Sequence, residues 1–112
     1  MEIKSYATAK AVTLLERVDS VTSHEVEIAL QELVAQGTTT IICDCTRTKY
    51  VSSAGLRVFL GLSRTLSKSG GQLVIACPNT SYAYEVLETA GVTGIVPVVP
   101  SVDDALQRLG LA

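Results

Sequence analysis

The chain has 112 residues, of which 47% are hydrophobic and 18% charged; this is enough for one packed core, too little for two, and too apolar for a disordered segment. Nine Lys and Arg against eleven Asp and Glu leave a net charge of -2, which offers no positive field to a nucleic-acid backbone. No stretch approaches the roughly 18 to 20 consecutive apolar residues of a membrane span, and the first residues lack an apolar signal-peptide segment. We therefore expect one cytoplasmic domain over residues 1–112 that neither binds nucleic acid nor inserts directly into a membrane.

The first third of the chain predicts two strands and a helix. Short apolar runs between residues 2 and 15 are typical of two strands, with a turn near residues 8–10. Apolar residues then recur at three- and four-residue spacing, which predicts a helix over residues 22–36. Thr22 and Glu25, three positions apart, indicate a capping box at the start of this helix.

The middle third predicts a long helix with one strand before it and one strand after it. The β-branched and apolar residues over 39–45 are too few for a helix and indicate a strand that is buried on both faces. A second helix is predicted over residues 53–68, and a turn at Gly70-Gly71 leads from it into a strand over residues 72–77. The inner face of this second helix is expected to carry Leu56, Phe59, Leu60, Ser63 and Leu66.

The last third predicts two more helices around a short strand. Residues 79–81 can cap a third helix, and Ser101 with Asp104 opens the final one. Pro97 lies within residues 95–99 and Pro100 follows them, which favours an edge strand over a central one. The apolar face of the third helix is expected to carry Tyr84, Val86, Leu87 and Ala90.

The predicted elements alternate in the order β-β-α-β-α-β-α-β-α. Such alternation is typical of α/β folds, in which crossover helices join parallel strands. We therefore predict a mixed sheet of four to five strands with four helices. The helices that begin near residues 22 and 53 have the strongest apolar stripes and are expected on one side of the sheet, with the last helix near its far end.

Side chains with catalytic or metal-binding chemistry are few. Cys43 and Cys45 point to the same face of a predicted strand, so both thiols could in principle meet one metal ion. Their strand is otherwise apolar and Cys77 is the only other thiol, so buried inert thiols are favoured over a metal site or a thiol enzyme. His24 has no nucleophile pattern near it and is expected on the surface. The sequence predicts no catalytic residue, no metal site and no cofactor, and three cysteines, which cannot all pair, indicate a reducing compartment.

The polar segment after residue 44 ends in two serines at the start of the second helix. A serine there is a common N-cap, and Gly55 then lets the first turn pack closely against the sheet. One serine suffices as a cap, so the other can project its hydroxyl at the helix N-terminus, where a phosphate would be stabilised. We expect Ser52 to be the N-cap, with its hydroxyl bonded to a first-turn amide, and Ser53 to point outward.

Two segments carry a resemblance to a known family. Residues 41–44, Ile-Ile-Cys-Asp, and residues 50–56, Tyr-Val-Ser-Ser-Ala-Gly-Leu, resemble the STAS domain, and specifically the stand-alone anti-sigma factor antagonists of bacteria. Residues 14–19 are similar to the family's strand that ends in Asp before the first helix. Residues 70–75 and 86–92 are similar to its glycine turn and to its third helix with the exit from it. The resemblance covers nearly the whole chain and implies a STAS fold.

The resemblance also implies a phosphorylated serine two residues before the glycine, which here is Ser53. The family often has Asp directly before that serine, where this chain has Ser52, and Gly where this chain has Glu16. A partner-binding surface is implied around the phosphorylation site. The residues expected on it are Asp19, Ser20, Ser23, Ser52, Ser53, Ala54 and Arg57.

A regulator that works by partner switching, rather than an enzyme, is what the resemblance implies. The unphosphorylated protein would bind an anti-sigma factor that is itself a serine kinase, and so free a sigma factor. The kinase would phosphorylate Ser53, and a serine phosphatase of the PP2C type would remove the phosphate. One alternative is a STAS subunit of a membrane-associated complex, such as a lipid-transport complex, that acts as a structural partner without phosphorylation. A nucleotide-binding STAS domain is another, against which the lack of a phosphate-binding loop counts.

Overall fold

Seven strands and four helices form the computed structural model, which describes all 112 residues. The strands are β1 (Ile3–Tyr6), β2 (Ala9–Thr13), β3 (Arg17–Val18), β4 (Thr40–Asp44), β5 (Tyr50–Val51), β6 (Gln72–Ala76) and β7 (Val98–Val99). The helices are α1 (Ser23–Ala35), α2 (Ser53–Lys68), α3 (Tyr82–Thr89) and α4 (Val102–Arg108). None of the four helices is both long enough and apolar enough to span a bilayer.

Five of the strands build one mixed sheet in the order β1-β2-β4-β6-β7. The β1–β2 hairpin is antiparallel, whereas β2, β4, β6 and β7 run parallel to one another. A helix connects each parallel strand to the next, as the alternation in the sequence predicts. The predicted α/β fold, with five strands in a mixed sheet and four helices, is therefore confirmed.

The two faces of the sheet bury different sets of side chains. The larger core contains apolar residues of α1, α2 and α3 packed on one face, so the prediction that the first two helices share a side is confirmed. The last helix contacts β6, β7 and β4, so it lies towards the β7 end of the sheet, as expected. Its face was not predicted: Ala105 and Leu106 of α4 pack on Ile42 and Val74, so this short helix covers the second face of the sheet, which would otherwise be exposed.

The structure corrects three local predictions. The hairpin turn lies at residues 7–8, one position earlier than expected. The predicted strand 95–99 is shorter than expected: a 3-10 turn at Val92–Gly94 precedes it, residues 95–97 form no strand, and Ile95 is 66% exposed, so only Val98–Val99 pairs with β6. Ala90 is exposed rather than on the apolar face of α3.

The inner face of α2 is rotated relative to the prediction. Phe59 and Leu66 are buried as expected, but Leu56, Leu60 and Ser63 are only partly buried. The first turn of α2 packs closely against a neighbouring strand and must place Gly55 at that contact. This contact sets the rotation of the helix. The residues of α2 that are buried are Gly55, Val58, Phe59, Leu62 and Leu66.

A two-stranded parallel ribbon, β3 with β5, lies beside the main sheet. The resemblance indicates a strand over residues 14–19, whereas β5 and its pairing with β3 were not expected from the sequence. Val18 pairs with Val51 in this ribbon, and both side chains are buried. The buried hydroxyl of Thr48 donates to the carbonyl oxygen of Leu15 at 2.9 Å, which ties the two loops before the ribbon together. The ribbon therefore fixes the entry into α1 next to the entry into α2.

Gly55 is the residue that lets α2 sit on this ribbon. A Cβ at this position would lie 2.8 Å from the carbonyl oxygen of Val18 and 2.9 Å from a methyl carbon of Val51. We expect Gly55→Ala to lower the free energy of unfolding by about 1 to 3 kcal/mol, because the helix must move away from the ribbon. Gly61→Ala, in the same helix but with open space around the added carbon, is the matched control.

That control should leave the free energy of unfolding unchanged or raise it by up to about 1 kcal/mol, since alanine favours a helix interior over glycine. Chemical denaturation of dilute protein measures both variants. Equal stability of the two alanine variants would contradict the assigned role of Gly55.

Candidate functional site

Two serines at the start of α2 lie in different environments. Ser52 is the N-cap, and its backbone N–H donates to the Val18 carbonyl at 2.8 Å. Its hydroxyl is buried and has no hydrogen-bond partner, so the expected bond to a first-turn amide is absent and that prediction is wrong. Ser53 is the first residue of the helix and its side chain is exposed, as predicted. Only the Ser53 hydroxyl can be reached from solvent.

Asp19 organises the loop that leads into α1. Its carboxylate accepts hydrogen bonds from the backbone N–H groups of Val21, at 3.0 Å, and Thr22, at 3.1 Å. Thr22 does not form the predicted capping box with Glu25, because its hydroxyl donates back to the Arg17 carbonyl at 2.8 Å. Asp19 thus satisfies the backbone N–H groups of the turn that precedes α1, while no side chain caps the first turn of the helix itself.

These hydrogen bonds favour the ionised form of Asp19. The bond from the Thr22 backbone N–H is the main reason that the pKa of the Asp19 carboxyl lies below its usual value. The Val21 N–H, the Thr22 hydroxyl and the Arg17 guanidinium, whose Nε lies 3.3 Å from the carboxylate, act in the same direction. Asp19 is therefore held as an anion at the rim of the sheet.

The β3–β5 ribbon brings the two helix entries together, as the sequence analysis expected. Val18 and Val51 pair in register, so Asp19 and Ser52 follow them on neighbouring strands. Of the other residues expected on this surface, Ser20 and Arg57 are exposed, whereas Ser23 and Ala54 are partly buried. The predicted positions thus form one rim around Ser53, within which Ser52 contributes its backbone rather than its hydroxyl.

An aromatic stack at this rim was missed by the sequence analysis. The Arg17 guanidinium carbon lies 4.6 Å from the centre of the Tyr50 ring, and Tyr50 stacks on Tyr82 with ring centres 6.4 Å apart. Tyr82, the first residue of α3, is 57% exposed. No local pattern connects Tyr50 with Tyr82, since they belong to separate elements that meet only in the folded chain.

The remaining reactive side chains show no sign of catalytic or metal-binding chemistry. Cys43, Cys45 and Cys77 are buried free thiols, as predicted for the first two. Burial raises the pKa of Cys43 to about 12 and also raises the pKa of Cys45, so neither forms a thiolate near neutral pH. His24 is exposed, as expected. No group of three His, Cys, Asp or Glu side chains is placed to hold a metal ion.

Acid unfolding tests the role of Asp19. Since its folded-state pKa is lowered, its contribution to stability is complete above the unfolded pKa, near 4, and is lost as the pH falls through the lower folded value. We expect Asp19→Asn to be less stable than the native protein at pH 7 and to lose less on further acidification. Urea unfolding across this pH range measures the difference.

Asp103→Asn is the matched control, because Asp103 is exposed in the first turn of α4. Its curve of stability against pH should follow that of the native protein. If the stability of Asp19→Asn also changed with pH as that of the native protein does, Asp19 would not be a stabilising residue of this loop.

Comparison with known proteins shows the family to which the chain belongs. A sequence profile for the STAS domain matches residues 1–105. BtrV of Bordetella bronchiseptica, whose name places it among the anti-sigma factor antagonists, is 36% identical over 84 residues, which are 75% of this chain and 72% of that protein. The chain therefore belongs to the STAS domain family and, within it, to the anti-sigma factor antagonists.

Solved structures share the fold at low sequence identity. A crystal structure of an anti-sigma factor antagonist from Mycobacterium paratuberculosis has a TM-score of 0.86 at 20% identity, covering 96% of this chain and 90% of that one. SpoIIAA in its unphosphorylated form has a TM-score of 0.79 at 17% identity, covering 99% and 97%. Phosphorylated SpoIIAA of Bacillus has a TM-score of 0.72 at 20% identity, covering 96% and 97%.

Proposed function

We propose that this chain is an anti-sigma factor antagonist that acts by partner switching through phosphorylation of Ser53. Unphosphorylated, it binds an anti-sigma factor that is a serine kinase, and a sigma factor is freed. Phosphate on Ser53 releases the kinase, and a serine phosphatase of the PP2C type restores the binding form. The chain is then a substrate and a ligand rather than an enzyme, works as one domain over residues 1–112 in the cytoplasm, and needs no cofactor.

The observation that carries this proposal is the difference between the two serines. The Ser53 hydroxyl is exposed in the first helical turn, whereas the Ser52 hydroxyl is buried beneath it. A kinase must bring its catalytic base and the terminal phosphate of ATP to the accepting oxygen, which requires an exposed side chain. The relative named SpoIIAA, which shares the fold, has been solved in both a phosphorylated and an unphosphorylated form.

Phosphate at Ser53 acts on binding more than on folding. It adds about -1.5 to -2 charges and three acceptor oxygens at a helix N-terminus, where free amides and the helix dipole favour an anion. The domain therefore stays folded, while the new charge lies beside the Asp19 loop, already an anion. A loss of about 2 to 4 kcal/mol of interface energy would weaken binding about thirty- to a thousandfold.

The partner surface extends beyond the residues that the sequence indicates. Asp19, Ser20, Ser23, Ala54 and Arg57 surround the two serines on this rim. The exposed Tyr82 and the Arg17 guanidinium both stack on Tyr50, and Arg17 also pairs with Asp19. Tyrosine and arginine are the residues that most often dominate binding energy at interfaces. We therefore include this stack in the surface that the kinase contacts.

Phosphopeptide mapping tests the proposal. After incubation with its cognate anti-sigma kinase and ATP, the protein is expected to carry one phosphate, on Ser53. Ser53→Ala should take up none and remain bound to the kinase, and Ser53→Asp should bind weakly, though less weakly than the phosphorylated protein because it adds less charge.

Ser67→Ala, at an exposed position of the same helix, is the matched control and should behave like the native protein. Phosphate on Ser52 would overturn the choice of serine. Kinase binding with no phosphate on any serine would favour the structural role of a STAS subunit in a membrane-associated complex.

A further inference from the structure

The outer faces of α1 and α2 carry opposite charges. Helix α1 contains three glutamates and no lysine or arginine, whereas α2 contains two arginines, one lysine and no acidic residue. The two helices lie side by side, and residues of both line a groove of about 220 Å³ between them. Glu27 is the one charged side chain that lines this groove, so the other charges lie on the outer faces of the two helices, beside the groove rather than in it.

These charges have no partners within the chain. The two ion pairs of the structure, Arg17 with Asp19 and Lys49 with Glu16, lie elsewhere, so the α1 glutamates and the α2 cations are unpaired. Arg64 and Lys68 are four positions apart on α2, an arrangement in which like charges destabilise a helix. The separation of charge thus adds nothing to the stability of a single copy.

An apolar side chain stands in the middle of the acidic stripe. Glu25, Ile28 and Glu32 are spaced by three and four positions, so they lie on one face of α1. All three are exposed, Ile28 to 44%, which is unusual for a large apolar side chain on a helix whose other face fills the core.

A gap stands in the middle of the basic stripe. Arg57, Gly61 and Arg64 are spaced by four and three positions and share the outer face of α2. A Cβ on Gly61 would meet no atom within 4 Å, so nothing inside this chain requires glycine there. Glycine weakens a helix interior relative to alanine, and a close approach by another molecule is a usual reason for it.

The two stripes are at matching levels. The groove is lined by residues 27–34 of α1 and residues 58–65 of α2, so positions about 31 apart lie side by side. Glu25 is then level with Arg57, Glu32 with Arg64, and Ile28 lies within about one turn of Gly61. Both helices connect parallel strands and so run in the same direction.

We propose that this α1–α2 face binds the same face of a second copy of the chain. A two-fold axis along the groove places α1 of each copy over α2 of the other at an unchanged level. Glu25 then meets Arg57 and Glu32 meets Arg64 across the interface, and Ile28 approaches the gap at Gly61, each contact occurring twice. Any other partner would have to present both an acidic and a basic stripe in the same register.

Self-association of this kind goes beyond the proposed function, because it requires neither the kinase nor phosphate. The two helices are about 20 to 24 Å long, so the interface is at the small end of specific interfaces. Contacts between exposed charges weaken in salt. The dimer is therefore expected to be weak, with a dissociation constant in the micromolar range, and to dissociate as salt is raised.

Sedimentation equilibrium of the whole chain tests the inference. The native protein should approach a dimer mass at about 1 mM in low salt, and its dissociation constant should rise at least tenfold in about 500 mM NaCl. A monomer at every concentration in low salt would overturn the proposal.

Charge reversal identifies the face. Glu32→Arg and Arg64→Glu should each weaken dimerisation more than tenfold, because each places like charges at two contacts. An equal mixture of the two variants should associate nearly as tightly as the native protein, since both contacts in the mixed dimer are then between opposite charges. Glu88→Arg, on the exposed side of α3, is the matched control and should dimerise normally.

Gly61→Leu adds an independent probe of the gap, with unfolding monitored at dilute protein to show that the fold is intact. It should weaken dimerisation at least tenfold. Failure of the mixture to associate would overturn the proposal. It would also be overturned if the protein were monomeric throughout and Glu32→Arg lost kinase binding, since another partner would then bind this face. Neither result bears on whether Ser53 is phosphorylated.

Discussion

The carbonyl oxygen of Val18 is the contact on which the candidate site depends. It accepts a hydrogen bond from the backbone N–H of Ser52 at 2.8 Å and lies 2.8 Å from the position that a Cβ of residue 55 would take. One atom of β3 therefore sets both the point at which α2 begins and how closely its first turn approaches the ribbon. Glycine at position 55 follows from that approach, since no other residue leaves the carbonyl free.

The same contact places the two serine hydroxyls in different environments. With its N–H committed to Val18, Ser52 turns its hydroxyl inward, where it is buried and unpaired. An unpaired buried hydroxyl costs about 1 to 3 kcal/mol, so the native arrangement carries a local strain that a simple N-cap would avoid. Ser53, one position on, is left exposed at the helix N-terminus, where an anion is stabilised.

The two faces of the sheet are covered by different helices. Helix α4 covers one face of the sheet and completes a small apolar core. The other face carries α1 and α2, whose entries frame Ser53 and whose outer surfaces hold unpaired charges of opposite sign. The three buried thiols belong to the sheet between them, and burial, by raising their pKa values, keeps them as packing groups rather than reactive ones.

Local patterns in the sequence determined the elements with a clear period and a signal at each end. The bounds of α2, Ser53–Lys68, and the exposed position of Ser53 followed from spacing and capping residues alone, as did the buried strand that holds Cys43. Short-range sequence preferences are sufficient to predict these elements, because their apolar residues recur at the spacing of one helix or strand.

Tertiary structure alone decided how those elements meet. The β3–β5 ribbon has two residues in each strand, too few for any period to be detected, and it exists because Val18 and Val51 are buried together. Asp19 organised the turn before α1, Tyr82 came to stack on Tyr50, and α4 crossed to the second face of the sheet. Each of these depends on contacts between residues distant in the chain, whose free energy is realised only when the whole core packs.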